Sequence, residues 1–164
     1  MEVNLKEKPW YDYLEEDLRE LLAEAFELVE KVPEWHDGFH DYSFIVFPAA
    51  KAYEGYLKKL FLDLGFIERD DYYGKRFRIG MALNPQLEPK YRETESVYDR
   101  IATHTGNKDL GDMLWETWKN CRNLVFHWFP DEKRAISFDE AKERVERVVS
   151  AIDDSYAKLK YVKG

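Results

Sequence analysis

Apolar residues recur every three or four positions along most of this chain, and that spacing limits the fold more than any other feature. Side chains spaced i, i+3, i+4 and i+7 share one face of an α-helix, which must then be buried against another element. Leu14, Leu18, Leu21, Leu22, Ala25, Val29 and Val32 form the first such stripe and predict a helix over 11–32, stopped by Pro33. Ile45, Ala49, Ala52, Tyr53, Tyr56, Leu57, Leu60, Phe61 and Leu64 predict a long helix over 42–64 that closes at Gly65. Pro48 falls either in its first turn or at a kink. Tyr91, Val97, Tyr98 and Ile101 predict a weaker helix over 90–104. Leu110, Met113, Leu114, Thr117, Cys121, Leu124, Val125 and Trp128 predict another, capped at Asn107 or Asp109 and ended by Pro130. Ser137 and Glu140 have capping-box spacing ahead of the last stripe, Phe138 to Leu159, which predicts a helix over 138–160.

Two stretches lack the period. Glu34 to Tyr42 reads as a loop, and residues 66–90 read as a long irregular connection. Within the latter, the alternation Arg76-Phe77-Arg78-Ile79 suggests one short strand. No repeat or linker divides the chain, so a single all-α domain over 1–164 is expected, a helical bundle.

Charge narrows the partners. The chain carries 33 Asp and Glu against 25 Lys and Arg, a net charge of −8. That balance argues against binding polyanions by bulk charge, but not against a local basic site. Residues 1–30 alone hold 10 acidic and 3 basic residues, so most of the excess sits at one end. Cys121 is the single cysteine, which excludes an internal disulfide and a cysteine-built zinc cage. A reducing, cytoplasmic compartment is expected. The acidic start is unlike a signal peptide, and the longest apolar run, Phe44 to Ala50, is too short to span a bilayer, so no membrane partner is expected.

The chemistry concentrates between Lys119 and Pro130. Histidine is the side chain suited to giving or taking a proton near pH 7, which makes His127 a candidate acid or base. Arg122 is a fixed cation whose planar fork matches phosphate oxygens. Together they suit activation of a ribose hydroxyl and stabilisation of a pentavalent phosphate, with no metal or cofactor. Asn123 is placed to hold the helix end through the backbone. Five steps along a regular helix turn ~140° from the starting face, so either the helix is distorted before Pro130 or a second chain completes the site. The plain alternative is a surface ion pair at Arg122 and a helix-end histidine at His127.

Other residues carry weaker signals. His36 and His40 have a zinc-like spacing, but Gly38 between them points to a loop. His104 reads as a helix-end residue and Cys121 as a small core side chain. Trp10, Tyr11 and Tyr13, and Trp115, Trp118 and Trp128, are candidates for base stacking or a dimer interface; the place of Trp115 and Trp118 near Arg122 favours the interface or cleft over the core. Lys75, Arg76 and Arg78 form the most basic cluster and read as a solvated turn or as candidates for gripping an RNA backbone.

The segment Arg122-Asn123-Leu124-Val125-Phe126-His127 resembles the R-N-x-x-x-H signature of the HEPN superfamily. A second segment, from Phe47 through Lys51 and Glu54 to Lys58, resembles the HEPN region of the RnlA/LsoA (RNase LS) toxins. The two segments lie in the expected order, and the resemblance covers about 42–160. It implies an up-and-down four-helix bundle that dimerises, with two Arg/His pairs lining a cleft between protomers. It implies a metal-independent endoribonuclease, cutting RNA by 2′-OH attack to leave a 2′,3′-cyclic phosphate, and an antitoxin protein as a partner. RnlA-type toxins carry additional N-terminal domains, for which this chain has no room, so a stand-alone HEPN protein is expected. Lys51 and Glu54 match a basic residue and a glutamate that belong to the RnlA-type site, where Glu54 would orient His127; the plain alternative is an ordinary surface pair. Toxins neutralised by nucleotide transfer carry a tyrosine two residues past the histidine; Phe129 stands there, so that neutralisation is not expected. The alternative function is a HEPN-like helical protein that binds nucleic acid or a partner without cutting.

Overall fold

The computed structural model describes residues 3–35, 38–128, 130 and 134–160. It is helical throughout, with no strand among the described residues. Helix α1 spans Glu16–Lys31 and buries Leu18, Leu22, Ala25 and Val29, four members of the predicted stripe. It starts later than the stripe does. Leu14 and Glu15 are extended, and Tyr11–Tyr13 is a separate 3-10 turn. That break lets Trp10 tuck into the core at 1% exposure, its indole N–H donating to Asp153 at 2.5 Å. Trp10 is therefore a core residue and not a surface for bases or a second chain.

Helix α2, Ser43–Asp63, is the centre of the molecule, packed against α1 and the last helix. Pro48 is its sixth residue, past the first turn, and the helix runs on through it. Gly65 closes it with φ of 70°, a left-handed value that costs glycine nothing. The Phe66 amide then donates to the Phe61 carbonyl and the Gly65 amide to Leu62, the Schellman pattern. Two buried tyrosines tie α2 to its neighbours. The Tyr53 hydroxyl donates to the Leu114 carbonyl at 3.2 Å, and Tyr56 pairs with the Ser155 hydroxyl at 2.9 Å. Burial drives both phenols above their ordinary pKa, so each stays a neutral partner.

Three short helices follow: α3 (Arg69–Tyr73), α4 (Ile79–Ala82) and α5 (Pro89–Glu95). The expected strand is absent. A lone strand would leave its backbone N–H and C=O groups without partners; instead the chain bends at 74–76 and Ile79 opens α4, burying Ile79 and Ala82. The weak helix expected over 90–104 is two helices, because Ser96 is extended and caps α6 (Val97–Thr105) by accepting from the Asp99 amide.

Helix α7 spans Asp109–Trp118 and packs on α6 and on α8, Phe138–Lys160. The expected capping box starts α8: the Ser137 amide donates to the Glu140 carboxylate at 2.7 Å, and the Glu140 amide to the Ser137 hydroxyl at 3.2 Å. No described helix is long and apolar enough to cross a membrane.

Candidate functional site

The signature segment begins where α7 stops being regular. Lys119–Asn123 form a single π-helical turn, with the Leu124 amide donating to the Lys119 carbonyl five residues back at 2.9 Å. Such turns take one more residue per hydrogen-bonded ring than an α-turn and often mark functional sites. Helical geometry then ends, and Leu124 to Phe126 turn the chain away. The ~140° of a regular helix thus never accumulates between Arg122 and His127.

The consequence is a small cavity of about 220 Å³ lined by Phe47, Lys51, Glu54, Arg122, Phe126 and His127, with Ala50 at its base. The α2 contribution is a stripe at i, i+4 and i+7, on the side of the helix that α1 and α8 leave uncovered. Lys51 is exposed and Glu54 half-buried. The Glu54 carboxylate lies 3.8 Å from the Arg122 guanidinium and 3.4 Å from the Lys58 ammonium. Glu54 thus sits between two cations, one in the cavity and one a turn further along α2.

Arg122 is held from below as well. Its guanidinium carbon lies 5.1 Å from the centroid of the Trp118 ring, one turn back on the same helix. Trp118 is 5% exposed, part of the core, which corrects its expected place at an interface or cleft. Opposite, the Phe47 and Phe126 rings meet edge to face at 5.5 Å, joining α2 to the segment that carries His127. The Lys51 ammonium lies 5.7 Å from the Phe47 ring. Cys121 points the other way. It is fully buried, and burial pushes its thiol up to about 11, so it is a packing residue and not a nucleophile.

Four of the five residues expected to carry catalysis, Lys51, Glu54, Arg122 and His127, therefore line one cavity within a single chain. Asn123, the fifth, is half-buried outside that lining, and its side chain makes no hydrogen bond to another described residue. Lys75, Arg76 and Arg78 are exposed on the connection into α4 and do not line the cavity. Further along the same connection, Gly80 lies directly against the Trp118 indole nitrogen. Among the described residues no cluster of three or more His, Cys, Asp or Glu side chains could hold a metal. His36 and Phe129 lie outside the described residues.

Residue-type reasoning missed Trp118 as the floor under Arg122, Lys58 as a partner of Glu54, and Phe47 with Phe126 as the far wall. The regular spacing of Phe47, Lys51, Glu54 and Lys58 was the available signal. A separate open groove of about 620 Å³ lies by Arg92, Asp99, Arg100 and His104. Its arginines are already engaged: Arg92 grips Asp99 through two nitrogens, and Arg100 donates to the Phe66 and Thr94 carbonyls. Compared with protein-family models, curated proteins and solved structures, the chain matches none of them.

Proposed function

We propose that this chain belongs to the HEPN class of helical nucleases, built on a four-helix up-and-down bundle. Within that class we read it as a metal-independent endoribonuclease of RnlA/LsoA toxin type, active as a homodimer. The observation that carries the reading is the meeting of Lys51, Glu54, Arg122 and His127 around one cavity, from α2 and from the segment that follows α7, far apart in sequence.

Each group has a role. Arg122 and Lys51 supply positive charge for the phosphate, and the Arg122 fork offers paired N–H donors to its oxygens. Glu54 and the Trp118 face fix that fork before substrate arrives. His127 takes the proton of the ribose 2′-OH. The 2′-oxygen bonds to phosphorus as the bond to the 5′-oxygen breaks, and a 2′,3′-cyclic phosphate remains. Phe47 is 52% exposed and Trp128 81% exposed, and they supply apolar surface beside the site for a second copy to cover. An antitoxin would act by covering the same face.

The test is cleavage of single-stranded RNA in excess EDTA. Wild type is expected to cut and leave 2′,3′-cyclic phosphate ends. His127→Ala is expected to lose at least about 100-fold in rate, the lower range for removing a general base. Equal rates in the two proteins would overturn the assignment.

A further inference from the structure

His127 stands between two cavities. Beyond the one it shares with Arg122 lies a second, of about 600 Å³, whose lining includes Phe126, His127, Arg134, Ser43, Asp41 and His40. Phe126 and His127 belong to both walls, so the two spaces are neighbours across the imidazole. The second is within the ~300–1,000 Å³ of ordinary small-ligand sites.

His40 is held there by an over-determined turn. On one side of it, the Phe39 ring packs on Tyr42 at 5.7 Å and on Phe44 at 5.1 Å, and the Phe39 amide donates to the Tyr42 hydroxyl. On the other side, Asp41 accepts from the Ser43 amide, the Ser43 hydroxyl and the Ile136 amide. The Tyr42 amide donates to the Ile136 carbonyl and its ring meets Phe138 at 5.8 Å, which pins the turn to the start of α8. His40 itself is exposed and makes no hydrogen bond or ion pair with another described residue. Its neighbours are fastened while its imidazole faces the cavity.

Cleavage by 2′-OH attack needs two proton transfers: one from the attacking hydroxyl, one to the departing 5′-oxygen, which is too basic to leave as an alkoxide. The site described above has one imidazole, His127, for both. Resting on the ribonuclease reading, we propose that the second cavity receives the nucleoside on the leaving side of the scissile phosphate, and that His40 is the acid that protonates its 5′-oxygen. His127 gains the 2′-proton, the 2′-oxygen bonds to phosphorus, the bond from phosphorus to the 5′-oxygen breaks, and that oxygen takes the proton from His40. Among the described residues, the titratable and charged groups that line this cavity with His40 are Asp41 beside it and His127 and Arg134. Burial raises the Asp41 carboxyl, but the hydrogen bonds from Ser43 and Ile136 outweigh it, with the His40 charge adding to them, and hold it below the usual carboxylate range. Asp41 is therefore an anion that cannot supply this proton near pH 7.

The experiment compares an RNA oligonucleotide with uridine 3′-(4-nitrophenyl phosphate), whose leaving group departs without a proton. His40→Gln is expected to slow RNA cleavage about 100-fold or more, yet to keep the activated ester within about threefold of wild type. His127→Gln is expected to lose both. Wild-type rates on RNA in His40→Gln, or equal losses on both substrates, would overturn the role of His40 while leaving the ribonuclease reading intact. Wild type that cuts neither substrate would overturn both.

Discussion

Arg122 shows how much a single side chain depends on what lies under it. Its guanidinium rests on Trp118, and Trp118 rests against Gly80. A Cβ added at Gly80 would stand 2.8 Å from the indole nitrogen, and the ring is buried, so it cannot swing aside at little cost. Gly80→Ala is expected to destabilise by about 1–3 kcal/mol, the usual cost of overpacking, and to weaken RNA binding by moving the floor under Arg122. Trp118→Phe removes the atom in question. In that background Gly80→Ala should cost clearly less, and denaturant unfolding of the four proteins of the cycle measures the difference. Additive costs would mean that Gly80 and Trp118 do not press on each other.

At the scale of elements, the capping box of α8 gives a separable prediction. Ser137→Ala removes the hydroxyl that accepts from the Glu140 amide. The expected loss is about 1 kcal/mol, or about 2–4 °C in Tm for a chain of this size. The box is also pH-sensitive. The Ser137 amide and side chain hold the Glu140 carboxyl below its ordinary value. Its contribution is therefore complete above the unfolded carboxylate pKa and is lost as pH falls through the folded one, so Ser137→Ala should cost less at acid pH than at pH 7. This box, the Gly65 stop and the bounds of α2 and α8 were all legible in the sequence, because each is set by side chains local to it. The split at Ser96 was missed, although serine is a preferred N-cap, because one apolar period spans the break. The π turn was illegible for a different reason. It is a choice of backbone hydrogen-bond register between Lys119 and Leu124, and no residue type there requires it. Arg122 and His127 could be paired from the sequence only through resemblance, since regular helical spacing would have turned them apart.

Across the whole molecule, charge is distributed so that one flank of α2 differs from the next. Leu18 and Glu15 of the α1 side meet Gly55 and Lys59, which lie roughly 90° around α2 from the Lys51–Glu54 stripe at 100° per residue. The exposed face of α1 carries Glu16, Asp17, Glu20, Glu24, Glu27 and Glu30, so that flank of the molecule has negative potential. Exposed charges act over about a Debye length, ~10 Å at 0.1 M salt, and so bias the approach of a polyanion without touching it. Replacing Glu16, Glu20, Glu24 and Glu27 with glutamine should leave the fold intact, because all four are exposed. At low salt it should tighten binding of a 2′-deoxy, uncleavable oligonucleotide several-fold, and the gain should shrink as salt rises. Fluorescence anisotropy across a salt series reads both effects. Unchanged affinity at low salt would mean that the acidic helix lies outside the electrostatic reach of the cleft, and its charge would then have no part in steering RNA.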